Sequence, residues 1–176
     1  MDIVAELIAK VRGQGRRVVF AEGTEGRILE AAGRLIIDGI ARPILVGPEA
    51  EVATAAAAAG LASTDVGIVD PAASDLESLA ESYARGPRRL DAKLARRLLR
   101  KPLHFAASMV ARGEADALVA GIANPTRRVI EAGLMALGLA EGIETPSSFF
   151  LMEIPGHGGS HDRLLLFADC AVTIDP

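Results

Sequence analysis

Cysteine is almost missing from this sequence: among 176 residues only Cys170 carries a thiol. One thiol closes no internal disulfide and leaves a cysteine-based zinc site without ligands, so a disulfide-stapled secreted scaffold and a zinc ribbon are excluded. A reducing, cytoplasmic setting is the expectation. Long apolar runs are missing as well. None approaches the roughly 18 residues that a membrane span needs, and the blandest stretch, 55–59, is alanine suited to a helix face. The start, Met1-Asp2-Ile3-Val4-Ala5-Glu6, lacks the basic residues of a signal peptide and carries acids instead. Neither G-x-G-x-x-G nor G-x-x-x-x-G-K-[ST] occurs, which removes support for dinucleotide or P-loop chemistry. His104, His157 and His161 make no persuasive ligand set, because the two that stand four apart lie in a glycine-rich stretch rather than on a helix; no metal is expected.

What is present is half apolar and 24% charged, a composition that excludes disorder and specifies a globular chain. The formal net charge of −4 argues against general nucleic-acid binding, but it hides an asymmetry. Eight of the 19 basic residues (Arg85, Arg88, Arg89, Lys93, Arg96, Arg97, Arg100, Lys101) crowd into 85–101 with one acid, Asp91. Tyr83 is the only aromatic nearby, which argues against base stacking on single-stranded nucleic acid. Two readings stay open: a solvated helix face, or recruitment of a small polyanion.

Apolar spacing places an opening helix over 3–12, a strand at Val18-Val19-Phe20-Ala21, and a helix carrying Ile28, Ala31, Leu35 and Ile36. Alternation continues with strands at 43–47 and 67–71, helices at 49–59, 74–83, 91–101 and from Pro102, and a nearly all-apolar strand at 116–121. That composition puts this last strand at the sheet centre. A helix through Val129, Leu134 and Leu137 follows. Strand–helix alternation of this length predicts an α/β fold, a mainly parallel sheet with helices on both faces. The pattern changes after about 145: two apolar runs, 147–154 and 163–169, flank a glycine-rich tip, which predicts a β-hairpin beginning a second, incomplete domain (first domain 1–145, hairpin 146–176). Two apolar strands with nothing to cover them make the chain read as truncated.

Two turns are candidates for anion binding. In 20–27 a strand feeds a helix with Thr24 as expected N-cap, and a purely structural turn is the competing reading. The loop Gly121-Ile122-Ala123-Asn124-Pro125-Thr126-Arg127-Arg128 follows the apolar strand and brings an amide, a hydroxyl and two guanidiniums to a helix start, where open α/β sheets hold ligands. A capped helix with solvated arginines is its plain alternative. Cys170 is expected as a small buried residue, and Asp169 at a strand end has either a cleft-facing or a turn role.

Several segments together carry a resemblance: Val18-Val19-Phe20-Ala21-Glu22-Gly23, Arg100-Lys101-Pro102-Leu103-His104-Phe105-Ala106, Ala115-Asp116-Ala117-Leu118-Val119-Ala120-Gly121 and, most specific, Leu166-Phe167-Ala168-Asp169-Cys170-Ala171-Val172. The chain resembles the phosphate acetyltransferase and phosphate butyryltransferase family over nearly its whole length. The resemblance implies an isocitrate/isopropylmalate dehydrogenase-like fold with a second domain and a cleft between the two, a homodimer, and acyl transfer between coenzyme A and inorganic phosphate to give acetyl phosphate. It implies no cofactor or metal, coenzyme A being a substrate. It also implies that the catalytic aspartate and its serine and arginine partners lie beyond residue 176, so catalytic residues stay unassigned and the chain alone is expected to be inactive.

Arg85 matches one arginine important in the family and is expected to bind coenzyme A or its phosphates, while Asn124, Thr126, Arg127 and Arg128 are expected to line the cleft. The second family arginine falls on Glu131, a reversal of charge that Arg127 or Arg128, one turn earlier, would have to offset. The family loop Ser-Gly-x-x-His-Thr-Thr is here Ala120-Gly121-Ile122-Ala123-Asn124-Pro125-Thr126. These departures imply a different acyl group or a different role, the alternative being a non-catalytic acyl-CoA-binding, dimerising regulatory module.

Overall fold

The computed structural model describes residues 3–87, 89–154 and 163–170. Arg88, the hairpin tip with His157 and His161, and the residues after Cys170 lie outside them. By compactness the chain divides into a unit of residues 12–138 and a second unit, in which residues up to 11 join those from 139 onward. The sequence pattern alone places the boundary at 145.

In the larger unit, β1 (Arg17–Phe20), β2 (Arg42–Val46), β3 (Gly67–Val69) and β4 (Ala117–Val119) form one parallel sheet in the order β3-β2-β1-β4. Strand residues alternate between two cores, as the period-2 pleat requires. Phe20 and Leu45, paired in register, pack with Ile28, Leu29 and Ala32 of α2 (Gly26–Ile37) and with Val52 and Ala56 of α3 (Glu49–Ala58). Val19 and Val46 point the other way. They pack with residues of α4 (Leu76–Ala84), α5 (Ala92–Leu99), α6 (Pro102–Ala111) and α7 (Thr126–Ala136). Helices therefore cover both faces, as expected of an α/β fold.

β4 departs from expectation. It lies at an edge of the described sheet, and Val119 is 45% exposed. Apolar composition shows that a strand tolerates burial, but edge or centre is set by which neighbours pair with it. The helix with the strongest claim to the core is α6. Every residue from Leu103 to Met109 is buried, His104 and Ser108 included, because α6 packs on the sheet and on α5 and α7 together. α5 is the opposite case. Ala95, Leu98 and Leu99 are buried, and the Asp91 side chain accepts from the Leu94 N–H as an N-cap, giving the one acid of the basic segment a structural job.

In the smaller unit, β5 (Phe149–Ile154) and β6 (Arg163–Ala168) form the expected antiparallel hairpin, in register from Phe149 opposite Ala168. The backbone N–H of Ile3, at the start of α1 (Ile3–Val11), donates to Glu153 Oε1 at 3.1 Å. Asp169 takes the turn role. Its φ is +56°, its N–H donates to the Ser148 carbonyl and its carboxylate accepts from Ser147 Oγ at 2.8 Å. Cys170, expected in a core, is exposed just past the end of β6.

Candidate functional site

The C-terminal ends of parallel strands collect loops, and here the loops after β1 and β4 meet. β1 runs through Ala21 into Glu22, which is only 7% exposed. A buried carboxylate is costly unless its oxygens are fully hydrogen-bonded. Five donors do this. Oε1 accepts from the backbone N–H groups of Gly121, Ala123 and Asn124 and from Asn124 Nδ2, at 3.2, 2.9, 2.9 and 2.9 Å. Oε2 accepts from Gly121 and Ile122 at 3.1 and 3.0 Å. Burial pushes the Glu22 pKa up, but the Asn124 side chain and the amides of Ile122, Ala123 and Gly121 outweigh it and hold it below the usual 4.5. Gly121 turns the loop at φ +123°, a conformation that disfavours any side chain.

Next to Glu22, Gly23 sits where a Cβ would come within 2.9 Å of the Val46 carbonyl oxygen, so the turn lies tight against β2. Thr24 is not the N-cap of α2. Glu25 holds that place without a side-chain cap, because the turn closes on the backbone through the Glu25 N–H to the Glu22 carbonyl.

Beside the loop lies a hollow of ≈ 370 Å³. Ala21, Leu98, Leu103 and Pro102 supply its apolar wall, and Lys101, His104, Asn124, Arg128 and Glu131 its polar one. His104 is 7% exposed, with Nδ1 3.1 Å from the buried Tyr83 hydroxyl. Burial, then the Lys101 charge, lowers the His104 pKa, while Glu131 opposes them. The imidazole is therefore neutral at pH 7. Burial, then the Glu131 charge, pushes the Tyr83 phenol up to about 12. Two cations, one carboxylate and an uncharged imidazole thus share one concave surface. It can hold a small anion on Lys101 and Arg128 while Glu131 turns away excess negative charge.

Of the residues expected from sequence to bind substrate, this hollow brings together Asn124 and Arg128. Arg127 lines an adjoining hollow of ≈ 550 Å³ with Leu90, Ile130, Glu131, Leu134 and Met135. Thr126 begins α7 and lines neither hollow. Arg85 is exposed at the C-cap of α4, and it too lines neither. The basic face of α5 forms a separate shallow hollow of ≈ 350 Å³ with Lys93, Arg96, Arg97 and Arg100, where Arg96 pairs with Glu77. Sequence reasoning missed Glu22, Lys101 and the Tyr83–His104 pair as parts of the site. The available signal for Glu22 was an acid directly after four apolar strand residues, at the strand end where ligands gather.

A sequence model described as "Phosphate acetyl/butaryl transferase" matches residues 2–176. The chain belongs to that family. It is 38% identical over 167 residues to the phosphate acetyltransferase of Treponema pallidum, covering 92% of this chain and 49% of that protein. It is 32% identical to the phosphate acetyltransferase of Clostridium acetobutylicum, covering 100% of this chain and 54% of that one. A phosphotransacetylase structure from Streptococcus pyogenes superposes with a TM-score of 0.89 at 27% identity, over 99% of this chain and 52% of that one. The chain thus spans about half the length of these relatives. The resemblance read from the sequence segments and the α/β fold class both agree with family membership.

Proposed function

We propose that the Lys101–Asn124–Arg128 hollow is one wall of the active-site cleft of a phosphate acyltransferase, which exchanges an acyl group between coenzyme A and inorganic phosphate. The observation that carries this reading is the family match over 2–176 combined with two cations, Lys101 and Arg128, in the hollow beside the loops after β1 and β4, the end of a parallel sheet where ligands collect. In this reading Arg128 and Lys101 bind phosphate or acyl-phosphate oxygens, and the Asn124 side chain is held in place by Glu22. Arg85 and the α5 face contact the more distant phosphates of coenzyme A. Thr126 and Arg127 border the cleft.

A thiol of pKa about 8.5 is mostly protonated at neutral pH, so the reaction needs a base. Glu22 is unsuited to that task, because five donors occupy its oxygens and hold it as an anion. The base belongs to other residues of the cleft. A cytoplasmic homodimer without a bound cofactor is part of the same proposal, and sedimentation of the purified protein reads its assembly.

The test is phosphate-dependent release of free thiol from acetyl-CoA and butyryl-CoA, by this chain and by any longer protein that contains it. Release that requires phosphate supports the reading and ranks the acyl groups. Tight acyl-CoA binding in calorimetry with no release favours a non-catalytic, dimerising regulatory module. Neither binding nor release overturns both.

A further inference from the structure

We propose that Glu22 is a positioning residue, an internal anion seated in the amide cradle of 121–124 that sets the loop from which Asn124 and Arg128 reach the substrate hollow. Four consecutive backbone N–H groups converging on one point form the kind of cradle that elsewhere receives a phosphate or sulfate. Here the cradle is filled from inside the fold, by a carboxylate that is only 7% exposed and arrives from the end of a strand about a hundred residues earlier in the chain. The cradle itself is therefore not the substrate's phosphate site; substrate is left to the side chains around it.

The lock reaches both elements that matter. It joins the C-terminal end of β1, where Ala21 walls the hollow, to the loop that delivers Asn124 and opens α7, whose first turns carry Arg128. A neutral amide cannot replace the carboxylate. Glu22→Gln turns one acceptor oxygen into an NH2 group aimed at N–H donors, so part of the cradle loses its partner and the loop must shift. The claim about substrate rests on the phosphate-binding reading of the hollow; the claim about the loop does not.

The experiment has two arms. In the first, amide resonances of Gly121, Ile122, Ala123 and Asn124 are followed in the chain itself and in Glu22→Gln, Glu22→Asp and Glu22→Ala. Glu22→Gln is expected to move all four. In Glu22→Ala, formate should return them toward the parent positions while chloride at equal ionic strength does not. Unmoved resonances in Glu22→Gln, or formate acting no differently from chloride, overturn the proposal, and Glu22→Asp supplies the reading should Glu22→Ala fail to fold.

The second arm takes whichever form of the protein releases thiol and compares it with its Glu22→Gln variant. A misplacement of about 1 Å at binding groups costs on the order of a hundredfold in kcat/KM, and most of that loss should appear as a raised KM for phosphate. A lowered kcat with KM unchanged is what a merely structural role produces, and it would refute the positioning claim. If no longer protein that contains this chain releases thiol, the acyltransferase reading falls and the first arm still decides the role of Glu22 in the loop.

Discussion

The parallel sheet and the C-terminal hairpin are built from similar residues with opposite outcomes. Val19 and Phe20 of β1 are 0% and 3% exposed, whereas Phe149 and Phe150 of β5 are 68% and 55% exposed and Leu166 of β6 is 65%. Both regions form strands, and the β-branched and aromatic side chains in each favour extended backbone. Only the sheet has helices over both faces. The contrast shows that strand formation is a local property, while burial, and with it stability, belongs to the layers that pack above and below.

Amide exchange gives the widest separation. Exchange of Val19 and Phe20 should require global unfolding, on the order of 5–15 kcal/mol for a domain, while β5 and β6 open at a small fraction of that cost. Equal protection in the two regions would break the comparison. Next in size is a truncation pair. Leu45→Ala should lose about 3 kcal/mol by denaturant titration, as buried leucines do, and Leu166→Ala should stay within about 0.5 kcal/mol because little of its surface is lost from water on folding.

A third prediction concerns the loop that ties the sheet to its site. Glu22→Gln should cost about 2 kcal/mol, a figure set by charge-assisted hydrogen bonds and orphaned donors. Its pH dependence follows from the lowered pKa. The folded state binds fewer protons than the unfolded chain, so the Glu22 contribution is complete above the usual 4.5 and is lost as pH falls below it. The variant should lack that portion of the acid transition, as measured by urea midpoints from pH 7 downward. His104 acts in the same direction at higher pH: its folded pKa lies below 6.5, so its contribution shrinks as pH falls through that value, and an imidazole titration by NMR should show the lowered midpoint.

The smallest effect is also the cleanest to read. Tyr83 is the only tyrosine and there is no tryptophan, so alkaline absorbance reports this phenol alone. Its midpoint should fall near pH 12. Because that pKa is raised on folding, the associated stability is intact below pH 10 and fades as pH climbs from 10 toward 12. Ionisation at the ordinary value of 10 would mean that the Tyr83 phenol is not buried near the Glu131 charge.

Much of the molecule was legible from residue order. Runs such as Val18-Val19-Phe20-Ala21 and the helical spacing of Leu103, Ala106 and Ala107 announce their elements, because backbone preference and side-chain period are local. The loop carrying Asn124 and Arg128 is legible as a polar loop after an apolar strand, and the structure sets both residues on one hollow. Thr24 as an N-cap misled, since a backbone hydrogen bond closes that turn instead. Arg85 is legible only as a cation; its exposure at the end of α4 is decided by how that helix packs.

By itself the sequence determined the kinds of element, their order, the two-sided sheet and the apolar hairpin, all of which follow from periodicity over a few residues. The tertiary structure alone decided that β4 lies at an edge of the described sheet, that α6 is buried from Leu103 to Met109 and that Glu22 closes on the amides of 121–124. The reason is physical. A contact between groups a hundred residues apart leaves no period in the chain, and it exists only once two strand ends have been brought side by side.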